Sequence, residues 1–144
     1  MVREARPGDL DELLELYLDL HETRVPEDSP ALREAWARIL ADDGHHLLVD
    51  EVDGRLAASC VCVIVPNLTR GARPYALIEN VVTRADCRRQ GHARACLDRA
   101  REIAAAAGCY KMMLLTGAKD AGTLRFYEKC GYNCADKTAF VRWL

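Results

Sequence analysis

Two rhythms of apolar and polar residues run along this chain, and the points where one gives way to the other divide it into elements. Val2 to Ala5 alternates briefly and predicts a first strand, which Pro7-Gly8 breaks. Leu10, Leu13, Leu14, Tyr17 and His21 then recur at helical spacing, with Leu16, Leu18 and Leu20 widening the apolar face. Asp9, with Glu12 three residues on, reads as the cap of that helix. Ser29-Pro30 has the character of a cap followed by a first-turn proline, and Leu32, Trp36, Ile39 and Leu40 mark one face of a second helix ending by Gly44. The polar link from His21 to Asp28 is either a substrate loop or a plain connection. His46 to Val52 and Arg55 to Val65 flank Asp53-Gly54, a dipeptide that favours a two-residue turn, and so predict a hairpin.

After a turn-rich stretch, Pro66 to Pro74, the run Ala76 to Thr83 predicts a strand with one carboxylate in its middle. Period-two alternation puts Glu79 on the face of Leu77 and Val81. Burying an ionised carboxylate there is costly, so either that face opens on a cleft or Glu79 finds a partner; in a cleft it is a candidate general base. Ala93, Leu97, Ala100, Ile103, Ala104 and Ala107 form a narrow stripe of mostly small side chains, predicting a helix that packs closely on a sheet and stops at Gly108. Tyr110 to Leu115 reads as a strand, Gly117 to Gly122 as a loop, and Thr123 to Cys130 as a short helix stopped by Gly131. Tyr132 to Cys134 and Thr138 to Trp143 read as two last strands. The whole predicts one α/β (α+β) domain over 1–144, with a mixed central sheet of about six or seven strands flanked by about four helices.

Between the strand at Ala76 and the alanine-rich helix lies Arg88-Arg89-Gln90-Gly91-His92-Ala93. A helix start presents main-chain N–H groups with no partner and carries partial positive charge, so it takes phosphate readily. Gly91 admits a close ligand, and the two arginines add donors suited to a diphosphate. Strand, turn, helix and strand make a βαβ unit, whose ligand sits at the carboxyl ends of the strands.

Composition narrows the chemistry. Half of the 144 residues are hydrophobic, enough for a real core, and a net charge of -2 carries no basic excess, which argues against nucleic acid. No run is long enough to span a membrane, and the charged start MVREARPGD suits neither a secretory signal nor an anchor. Seven cysteines, an odd set lying mostly in apolar runs, read as reduced thiols of a cytoplasmic protein. Their spacing lacks the pairing of a zinc site, and His45-His46, adjacent on a strand, point to opposite faces, so no metal is expected.

The order of strand, arginine-rich glycine turn, alanine helix, strand and Phe126-Tyr127-Glu128-Lys129-Cys130-Gly131-Tyr132 resembles the GNAT superfamily of acetyl-CoA-dependent N-acetyltransferases over nearly the whole chain. Arg88-x-x-Gly91-x-Ala93 fits that family's acyl-CoA signature. The resemblance implies that Arg88, Arg89, Gln90, Gly91, His92 and Ala93, with Arg94 beside them, hold the CoA diphosphate, largely through main-chain N–H groups. It implies that Val81, Val82 and Thr83 pair with the pantetheine arm, and that Tyr127 sits by the thiol and protonates the departing thiolate. Glu79 would accept the amine proton through water, and Asp120 stands where the family often has a CoA-contacting Asn. Tyr127 read without the resemblance is also an ordinary packing aromatic of the last helix. Gly108-Cys109-Tyr110-Lys111 and the late motif are similar to the glucosamine-6-phosphate N-acetyltransferases, which carry Asp where this chain has Asn80 and an Asp near Thr116-Gly117. The implied acceptor is thus a primary amine on a small molecule or peptide, with an amino-sugar phosphate as the alternative and a non-catalytic acyl-CoA sensor as the alternative of another class. A homodimer is compatible with the family.

Overall fold

The computed structural model describes residues 1–144. Five strands form one mixed sheet in chain order: β1 (Val2–Glu4), β2 (His45–Val52), β3 (Arg55–Val65), β4 (Tyr75–Thr83) and β5 (Met112–Leu114). The first three pairings are antiparallel and β4 to β5 is parallel. The helices are α1 (Leu10–Leu16), α2 (Pro30–Ala41), a distorted single turn α3 (Thr69–Ala72), α4 (His92–Ala106) and α5 (Ala121–Lys129).

Local chemistry explains several boundaries. The hairpin turn at Asp53-Gly54 places both residues at positive φ, 50° and 76°, as a two-residue turn between twisted strands requires. Ser29 Oγ accepts the Leu32 N–H at 3.2 Å and Pro30 opens α2. Asp9 does not cap α1. It accepts the Arg6 N–H at 2.6 Å and is gripped by Arg3, closing a 3-10 turn over Pro7–Asp9 just before the helix. Glu12, freed from a capping box, accepts from Leu56 N–H and Arg84 across the sheet. The two strands expected after Gly131 are absent. Residues 133–144 pair with no strand and leave Phe140 and Trp143 exposed; alternation marks the face a strand would bury, not whether it pairs.

The sheet separates two cores. On one face α4 and α5 cover Leu48, Ala58, Cys60, Cys62, Ala76 and Ile78. On the other, α1 and α2 cover Leu47, Val49, Val61 and Val82. The small stripe of α4 does what its composition predicts: Cys96, Leu97, Ala100 and Ala104 are buried against the sheet.

β4 carries the feature that shapes everything downstream. Ser59 faces Val82 and Val61 faces Glu79, so β4 has one more residue than β3 in that interval. Asn80 takes up the extra residue at φ 51°. A bulge of this kind reverses the alternation beyond it. Ile78 and Val81 therefore pack toward α4 while Val82 joins the opposite core. Glu79 shares its face with Leu77 but not with Val81, a correction to the simple period-two expectation.

Candidate active site

β5 accompanies β4 only from Ala76 to Ile78. From Glu79 to Thr83 the β5 side of β4 has no neighbouring strand, so a ladder of main-chain donors and acceptors lies open there. Val81, Val82 and Thr83 belong to this stretch. Glu79 and Asn80 are exposed within it. Glu79 is open to solvent, and no ion pair engages it.

The strand leads through a 3-10 turn (Ala85–Cys87) to the cradle. Arg89 at φ 63° and Gly91 at φ 92° bend the chain into α4. No side chain caps α4, which leaves the N–H groups of its first turn for a ligand. A Cβ built on Gly91 meets nothing within 4 Å, so the approach to those groups is clear. Arg89, Gln90 and Arg94 are exposed around it.

Two residues of the motif are otherwise engaged. Arg88 turns back, Nε donating to Thr83 O at 3.4 Å and Nη2 to Asp19 O at 3.3 Å. His92 Nδ1 lies 2.8 Å from Asp50 Oδ2 beneath the helix, so His92 offers a ligand its main chain rather than its ring. Burial works to raise the Asp50 pKa, but the Met1 ammonium and His92 outweigh it and hold the carboxyl below its usual value. Hydrogen bonding from Arg3 depresses Asp9 in the same direction. Carboxylates depressed in the folded state contribute stability that is full above their unfolded pKa, near 3.9, and lost as pH falls through the lower folded values. The urea midpoint is accordingly expected to hold from pH 7 to 5 and to drop steeply below about pH 4; a midpoint unchanged down to pH 2.5 would contradict this.

Tyr127 and Phe126 of α5 pack on the α4-side core, and the Tyr127 ring meets Tyr132 edge-on at 6.2 Å. Burial, and then the neighbouring Cys130 and Cys60, push the Tyr127 hydroxyl above its ordinary pKa. A phenol so placed stays protonated at neutral pH and can donate. Glu79 pairs in register with Val61, which belongs to the α1-side core. Glu79 and Tyr127 thus lie on opposite faces of the sheet. Asp120 Oδ2 accepts the Thr123 N–H at 2.8 Å and caps α5. All seven cysteines are free, and the buried Cys60 thiol is pushed well up by its contact with Cys96 and by burial, which keeps it inert.

Sequence reasoning passed over Tyr17 and Asp19, which lie in a 3-10 turn (Tyr17–Asp19) extending α1. Tyr17 is pushed up to about 12 by burial, with the nearby Asn80 and Ser59 side chains opposing the rise. Its ring also lines a cavity of about 550 Å³ with Leu14, Glu22, Thr23, Arg24, Pro26 and Glu27. The helical spacing of Tyr17 signalled only an apolar face, and nothing local announces a partner on β4.

The acetyltransferase (GNAT) family profile matches residues 10–132. Among curated proteins, a glucosamine 6-phosphate N-acetyltransferase of Trypanosoma brucei brucei is 36% identical over 84 residues, covering 58% of this chain and 55% of that protein. An uncharacterised N-acetyltransferase of Methanocaldococcus jannaschii is 27% identical over 150 residues, covering 99% of this chain and 64% of its own length. The chain therefore spans less than two thirds of either relative. A solved structure from Agrobacterium tumefaciens str. C58, assigned as an acetyltransferase, superposes with a TM-score of 0.91 at 41% identity over 99% of both chains.

Proposed function

The chain belongs to the acetyltransferase (GNAT) family, and from that premise we propose that it moves an acetyl group from acetyl-CoA directly to a primary amine of a small molecule or peptide. The observation that carries this reading is the continuity of the open β4 edge with the cradle at Gly91. A ligand with a linear amide-bearing arm and a diphosphate finds main-chain partners along Val81, Val82 and Thr83, and then along Arg89, Gln90, Gly91, His92, Ala93 and Arg94. The uncapped helix and the empty space over Gly91 fit a diphosphate. Asp120, committed to its cap, contributes through the position of α5.

Acetyl-CoA, when bound, supplies a thioester whose carbonyl an unprotonated amine can attack. The chain's own residues do the rest. Glu79, on the α1 side, accepts the amine proton through water, and Tyr127, on the α4 side, holds a proton for the departing thiolate. The open backbone at the bulge orients the reacting groups in one ternary complex, where proximity replaces a covalent enzyme intermediate. The cavity beside Tyr17 and Glu22 opens on the α1 side and is the place for the acceptor. The identity to a glucosamine 6-phosphate N-acetyltransferase favours an amino-sugar phosphate as a second reading of the acceptor.

Thermal unfolding with CoA, ATP and NAD in parallel tests the premise. CoA at a hundred times its Kd is expected to stabilise the protein by about 2.7 kcal/mol, while ATP and NAD leave Tm nearly unchanged. Equal shifts with ATP would replace this reading with a nucleotide-binding one. CoA binding without CoA release across amino acids, polyamines, amino sugars and peptide N-termini would leave an acyl-CoA sensor.

A further inference from the structure

The turn Tyr17–Asp19 touches the cradle from a distance. Asp19 Oδ2 accepts the Ala85 N–H at 3.1 Å, across 66 positions of sequence, and so caps the 3-10 turn that leads out of β4. Its main-chain oxygen takes Arg88 Nη2 at 3.3 Å, and its Oδ1 stands 3.9 Å from the same guanidinium. Arg88 Nε reaches Thr83 O, so one side chain ties the end of β4 to the acceptor-side turn. The same helix holds the loop a second time, through Glu12 and Arg84.

A carboxylate near a diphosphate site is at first sight a liability, since like charges repel. Its presence at this spot makes sense if geometry outweighs charge. Arg89 and Gly91 hold left-handed conformations, and a non-glycine residue such as Arg89 keeps one only where its surroundings over-determine it. The two residues before Arg89 are Arg88, braced on Asp19, and Cys87, which ends the turn that Asp19 caps.

We infer that Asp19 is a positioning residue for the coenzyme: from the acceptor-side turn it fixes the loop that delivers Gly91 and the first turn of α4 to the diphosphate, and Arg88 acts through it as a brace. This rests on the acetyl-CoA reading above. It also joins the two halves of the site, because Tyr17, two residues before Asp19, lines the acceptor cavity.

Isothermal titration of the full chain with CoA tests it. Asp19→Ala is expected to weaken CoA about tenfold, whereas Asp19→Asn, which keeps an oxygen for the Ala85 N–H, stays within about threefold of wild type. Arg88→Ala, which removes the bonds to Asp19 O and Thr83 O that Asp19→Ala leaves in place, is expected to weaken CoA about fivefold by itself. Equal losses for Asn and Ala, tighter binding by Asp19→Ala, or wild-type binding by Arg88→Ala would overturn the inference while leaving the acetyl-CoA reading intact. A wild-type chain that does not bind CoA would overturn both. Asp19→Asn and Arg88→Ala keep the comparison readable if Asp19→Ala fails to fold.

Discussion

Removal of the Tyr127 hydroxyl, in Tyr127→Phe, is expected to lower kcat by roughly a hundredfold or more, the usual contribution of a positioned general acid. CoA affinity should stay within about threefold. The phenylalanine ring keeps the contacts with Phe126, Tyr132 and the α4-side core, so the fold is hardly disturbed. What disappears is the phenolic proton, which a tyrosine keeps at neutral pH and which burial makes harder still to lose. A loss shared equally between kcat and CoA affinity would mark Tyr127 as a packing aromatic. Glu79→Gln belongs in the same experiment, since Glu79 lies on the other face: a fall in kcat with CoA affinity preserved supports its part, and an unchanged kcat assigns the amine proton elsewhere.

Gly91→Val has the second large effect expected. Its φ of 92° lies where a β-branched residue is strained, at a cost of about 1–2 kcal/mol or more. That corresponds to roughly 3–8 °C in Tm, measurable by thermal unfolding, and the protein still folds because a Cβ here meets no neighbouring atom. The same empty space is where a diphosphate must come close to main-chain N–H groups. CoA affinity is therefore expected to fall about a hundredfold or more, out of proportion to the stability loss. A variant that binds CoA as wild type does would remove the cradle from the site.

How far the sequence foretold this site depended on the range of the interactions. Asp53-Gly54, Ser29-Pro30 and the small stripe of α4 were readable because their causes are local: a turn conformation, a cap and a packing distance. The cradle was readable for the same reason, as a glycine before a helix. The face of Val81 was misread because one extra residue at Asn80 reverses the alternation, and no residue type marks a bulge. Asp9 was misread because Arg3 and the Arg6 N–H compete for its oxygens. Thr138 to Trp143 has the alternation of a strand but pairs with neither open edge of the sheet, β1 or β5, and alternation cannot report its partner. Asp19 escaped notice because its meaning lies 66 residues away.

The placement of Glu79 and Tyr127 on opposite sides of the sheet bears on how such a chain can change its diet over generations. On the proposed reading, residues that would choose the amine sit in one layer and those that would grip the carrier in another, so the first can be rewritten while the second is inherited intact. On the same reading that freedom ends at the short turn after α1: a lineage could swap Glu22 or Glu27 to suit a new amine, but Asp19, upstream of both, would be answerable to both partners at once.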